Sequence, residues 1–213
     1  MNFKKSLSFS LLLLFLVGCS SSYYKTMEQF GIEKRDIMVD RVEDARDAQE
    51  ESKETFADAL EAFTSVTDYD GGNLERVYNR LNDAFQESEE SAEEVSRRID
   101  SVERVANDLF DEWEDELSEY SSDELRRESK QTLKETERNY EKMISKMRAA
   151  EKTMYPVLDL FRDQVLYLKH NLNARAIASL DKEVTAIESR VADLISEMEA
   201  SIAEADEFIA TMQ

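Results

Sequence analysis

Between Leu74 and Tyr120 apolar or small residues recur in alternating steps of four and three. The series is Leu74, Tyr78, Leu81, Phe85, Ala92, Val95, Ile99, Val102, Ala106, Leu109, Trp113, Leu117 and Tyr120. Ser88 fills one polar slot, and a single extra residue precedes Leu117. Spacing of this kind puts one stripe along an amphipathic helix, and such a stripe must be covered by partner helices. At about 1.5 Å per residue the helix is a rod on the order of 70 Å long. The chain holds only four Gly and one Pro in 213 residues, so few turns are available and long helices are expected throughout.

Three further helices follow from the same periodicity. The first is expected over residues 33–67, with the stripe Met38, Val42, Ala45, Gln49, Ser52, Phe56, Ala59 or Leu60, Phe63 and Val66. Gln49 and Ser52 sit at core slots, and Glu43, Asp44, Asp47, Glu50 and Glu51 lie nearby, so a loosely packed middle is expected. Asp68 to Asn73, with Gly71 and Gly72, reads as a turn that ends in a capping side chain. The second helix spans 74–120. Ser121 with Glu124 three residues on reads as a capping box that opens a third helix over 123–172. Met143, Met147 and Met154 suit irregular core gaps, and Pro156 should kink that helix. The fourth helix is expected over 174–212, with a second apolar row at Ile195, Ile202 and Ile209. Short connections and wide apolar faces predict an all-α fold, an elongated antiparallel up-down four-helix bundle packed like a coiled coil at about 20°.

Residues 1–18 read as a cleaved signal peptide: Lys4 and Lys5 form a basic start, and Leu7 to Val17 an apolar run too short to span a membrane stably. The run ends in Leu16-Val17-Gly18-Cys19, which resembles the bacterial lipobox. That resemblance implies lipidation of Cys19, the one cysteine in the chain, and a lipidated tether over residues 19–32. The expected partner at this end is thus a membrane, reached through the lipid anchor, and more than one acyl chain gives stable attachment. Ser20, by resemblance to Gram-negative lipoproteins, points to the outer membrane with the bundle facing the periplasm.

The net charge of −21 repels nucleic acid, so no nucleic-acid partner is expected. Catalytic parts are missing from the sequence. His170 is the only histidine, no Glu-x-x-His pair occurs, and neither a Gly-x-Ser-x-Gly elbow nor a phosphate-binding Gly-x-x-x-x-Gly-Lys loop is present. No catalytic residue, metal site or cofactor is therefore expected. One segment departs from the acidic pattern. Arg162, Gln164, Lys169, His170, Asn171, Asn173 and Arg175 gather cationic and amide groups around the end of the third helix. They fit a contact surface for a partner, and they equally fit a turn that caps two helix ends.

Several segments carry a likeness: the lipobox, Gly31 to Asp36, Leu109 to Trp113, Phe161 to Val165 and His170 to Leu180. Together they resemble an uncharacterised bacterial lipoprotein family, domain-of-unknown-function family 2959. The resemblance implies a helical envelope lipoprotein with no assigned activity, and it supplies no site residues. The function expected is a non-enzymatic, periplasm-facing helical bundle that serves as a protein-interaction or scaffold module, with an envelope protein as partner. The alternatives are a self-associating structural spacer and, behind it, a small-ligand carrier or enzyme, which would need a polar cavity in the core.

Overall fold

A computed structural model describes residues 33–66, 73–171 and 173–213, with the backbone alone for 174–179 and 181. The signal segment, Cys19 and the tether lie outside the described residues, as do most of the Asp68 to Asn73 turn and Leu172. Four helices make up the described chain: α1 Lys34–Thr64, α2 Leu74–Glu116, α3 Asp123–His170 and α4 Ala174–Met212. No strand occurs among the described residues.

Each helix packs on the next in sequence, and α4 closes back on α1. This is an up-down-up-down four-helix bundle. Its core is the union of the heptad stripes. Leu81, Val95, Ile99 and Val102 of α2 face Met38, Val42, Phe56 and Phe63 of α1, Met143, Met147, Met154 and Phe161 of α3, and Ile187, Leu194, Met198 and Phe208 of α4, all buried. Across the diagonal, Phe161 stacks on Phe63 at 4.5 Å and on Phe56 at 6.3 Å between ring centroids. At position 59 or 60 of α1 the core takes Ala59, and Leu60 is only half-buried.

The middle of α1 is closed, contrary to the loose packing its polar residues suggested. Gln49 and Ser52 are fully buried. The Ser201 hydroxyl of α4 donates to Gln49 Oε1 at 2.8 Å, and the Ser52 hydroxyl approaches Met154 Sδ of α3 at 3.7 Å. Ser88 of α2 is buried as well and donates back to the Ala84 carbonyl at 2.8 Å. Gln49 and Ser52 are matched by partners more than a hundred positions away, which the local pattern of α1 could not show.

The helix ends differ from expectation, and α1 closes at Thr64 and not at 67. α2 stops at Glu116, because Leu117 to Glu119 turn on hydrogen bonds to Trp113, Asp115 and Glu116 carbonyls, and Tyr120 is left exposed. The cap of α3 is Ser122 and not Ser121: Ser122 Oγ accepts the Leu125 amide at 3.4 Å. α3 runs through Pro156 as one helix and ends at His170, where Asn171 leaves helical geometry at φ −134 and ψ 57.

Charge is unevenly shared. α2 carries fifteen Asp or Glu against five Arg, whereas α3 carries eleven Lys or Arg against nine acids. Arg148 of α3 reaches Asp100 and Glu103 of α2 at 2.5 Å each and Glu151 of its own helix at 2.8 Å. Lys142 pairs with Glu204 of α4 at 2.7 Å, and Arg162 with Glu89 of α2 at 3.1 Å. The cationic helix thus lies between the two acidic ones, and flanking charges of this kind select neighbours in helical bundles.

Candidate functional site

α1 begins beside the end of α2: the Lys34 ammonium sits 2.9 Å from the Glu112 carboxylate. The chain therefore enters the bundle at the end that holds the α2–α3 connection. The opposite end holds the α3–α4 bend at Asn171 to Asn173 and the close of α1, where Arg80 of α2 hydrogen-bonds Ser65.

The structure divides the seven residues of the expected contact surface. Arg162 belongs to the bundle wall. Its guanidinium bonds Asp159 at 2.7 Å and Glu89 at 3.1 Å and lies 5.5 Å from the Phe85 ring centre. The Glu89 hydrogen bond is the main cause that raises its pKa, so its charge is firmly held. Gln164 is half-buried on α3. Lys169 and His170 are exposed in the last turn of α3, with no ion pair to either among the described residues. Both sit where cations favour a helix C-terminus.

Asn171 is tied into the bend. Its side-chain amide donates to the Tyr167 carbonyl at 3.0 Å and its backbone N–H to the Leu168 carbonyl at 3.1 Å. Asn173 is exposed, and its N–H donates to the Asn171 carbonyl at 2.7 Å. The Arg175 side chain lies outside what is described. Lys169, His170, Asn171 and Asn173 are thus brought together at the bend, while Arg162 stands two turns back and faces α2.

Leu166 and Tyr167 complete that surface. They are 47 % and 40 % exposed on the turn that carries Lys169 and His170. Both fall between the stripe residues Val165 and Leu168, and apolar residues off the stripe were the signal that could have found them.

Elsewhere the described surface is grooved without being hollow. A concavity of about 300 Å³ between α1 and α2 is lined by Glu51, Thr55, Glu87, Glu90 and Glu94. Arg97 and then Arg98 hydrogen-bond Glu94 and hold its carboxyl below the usual range. No group of three or more metal-binding side chains occurs among the described residues. None of the described helices is long and apolar enough to cross a membrane.

No curated protein and no solved structure matches this chain. The model of the family "Protein of unknown function (DUF2959)" matches residues 23–212, and the chain belongs to that family.

Proposed function

We propose that the protein is a non-enzymatic lipoprotein of the bacterial outer membrane, anchored through Cys19, whose helical bundle stands in the periplasm and docks an envelope protein at its far end. The lipobox resemblance and the Ser20 cue support the anchor and the membrane. From Cys19 to Lys34 the extended chain reaches at most about 50 Å, so the Lys34 end is the one tied to an anchored terminus. In a bundle that stands upright on this tether, the bend at Asn171 is the end farthest from the membrane.

The observation that carries the docking role is the exposed turn there. Leu166 and Tyr167 supply apolar area, and Lys169 supplies a charge and His170 an imidazole that no acid of this acidic protein engages among the described residues. A rim of charge around exposed aromatic and aliphatic groups is the usual make-up of a transient protein interface.

Photo-crosslinking in intact cells from Leu166 and Tyr167 tests the proposal, with exposed Arg104 on α2 as control. A discrete adduct from the first two positions and not the third is expected. Equal or absent labelling at all three would exclude a docking end at the bend.

A further inference from the structure

Two levels of the bundle differ in how many helices they hold. The Lys34 ammonium lies 3.5 Å from the Asp108 carbonyl and 2.9 Å from the Glu112 carboxylate, so α1 starts at that level of α2. α4 ends at Met212, level with Asn139 and Lys142 of α3, where these side chains and the close of α4 line one recess. Beyond both levels the described residues comprise only the close of α2, residues 117–122 and the start of α3. Trp113, the one tryptophan of the chain, ties the two helices, its indole N–H donating to Ser129 Oγ at 2.8 Å. Two helices in contact shield one face of each. Leu117 is nonetheless only 9 % exposed, and Trp113 is half-buried.

The chain that reaches this level is the stretch just before α1. Tyr23, Tyr24, Met27, Phe30 and Ile32 put five large apolar side chains into ten residues. Tyr23, Met27 and Phe30 keep the four-three step of the bundle helices. The family match starts at residue 23, ahead of α1, so this stretch is part of what the family shares. Leu117 lies five residues past Glu112, about 8 Å of helix rise. Ten residues span about 15 Å as helix and about 33 Å extended, so the stretch reaches Leu117 in either form.

We propose that residues 23–32 pack back onto the close of α2 and the start of α3 as the third element at that level, with Met27 and Phe30 against Trp113 and Leu117. Connection selects this occupant. The stretch leads directly into Lys34, whose ion pair with Glu112 holds it beside the patch, and a tethered segment outcompetes a partner brought from solution. Its apolar side chains gain cover that a free tether would leave in water. The packing does not rest on the anchor proposed at Cys19. Joined with that anchor, it leaves residues 19–22 as the free tether, about 14 Å when extended, and so holds the bundle close to the membrane surface.

The test uses the full chain as extracted from cells, in a mild detergent. A benzophenone amino acid in place of Phe30 should, on illumination, give an adduct within one chain that maps to residues 105–126, at a yield independent of protein concentration. Met27→Asp with Phe30→Asp should raise the acrylamide quenching constant of Trp113 about twofold or more, while helical content stays within about a tenth of the parent by circular dichroism. An adduct between two chains, an adduct elsewhere in the same chain or with detergent alone, or a quenching constant that the double substitution leaves unchanged would overturn the proposal. Both readouts are taken whatever residue 19 carries, so a failed anchor leaves the test standing.

Discussion

Replacing Gln49 by Leu together with Ser201 by Ala should stabilise the bundle by about 1–2 kcal/mol. Gln49 is fully buried, its Oε1 accepts from Ser201, and its Nε2 has no protein partner. An unpaired buried donor costs about 1–3 kcal/mol, while the Ser201 hydrogen bond contributes about 1 kcal/mol net. Removing both partners at similar volume discards the larger cost and the smaller gain together. The single changes should behave differently. Ser201→Ala strands the whole amide and should cost about 1–2 kcal/mol. Gln49→Leu leaves a hydroxyl that can turn back to the carbonyl four residues earlier, so it should lie within about 1 kcal/mol of the parent. Urea unfolding followed by circular dichroism reads all four corners of the cycle, with the denaturant slope as the check that the unfolded state is unchanged. In a domain of this size 1 kcal/mol moves the melting temperature by about 2–4 °C. A double variant destabilised by more than about 1 kcal/mol, at unchanged slope, would refute the view that this polar layer costs stability.

Other expectations follow from the same contacts. Phe161→Ala removes the ring stacked on Phe63 and Phe56 and should cost about 3–5 kcal/mol in urea unfolding. Arg148→Ala leaves Glu151, only 7 % exposed, without its cation, and should cost about 2 kcal/mol, part of it recovered by adding Glu151→Gln. Burial pushes the Tyr140 hydroxyl up to about 12. A raised folded pKa gives stability that is complete below the unfolded value near 10 and is lost as pH rises toward 12. Allowing for solvent screening of a half-buried group, that loss is on the order of 1 kcal/mol, and Tyr140→Phe should flatten it in unfolding curves taken between pH 9 and 12. Leu166→Asp should leave stability of the purified chain within about 0.5 kcal/mol, since the side chain is exposed, while it abolishes the crosslinked adduct at that end.

The heptad stripes made most of the fold legible, because a step pattern of three and four determines which residues face inward whatever the partner helix is. Leu81, Ile99, Met147, Phe161 and Met198 are all core residues on that ground alone. What the stripe cannot carry is how far the neighbours extend. Leu125 keeps the period of α3 yet is exposed, because α1 and α4 end before its level. Tyr120 keeps the period of α2, but the helix has already ended at Glu116. Gln49 and Ser52 read as a weak seam until Ser201 and Met154 are set against them.

The candidate site was legible in part. The cations and amides around the bend stand out by composition, but composition could not separate Arg162, engaged with Glu89, from the unengaged Lys169 and His170. Nor did it single out Leu166 and Tyr167, which the folded bundle leaves exposed.

Anchorage determines which end of the rod faces outward, so the mass of the N-terminal peptide, taken from protein extracted from cell membranes, bears most directly on the account. A chain that begins at Cys19 and carries acyl groups on that residue is expected. A peptide that begins at Met1, or a Cys19 with a free thiol, would contradict it.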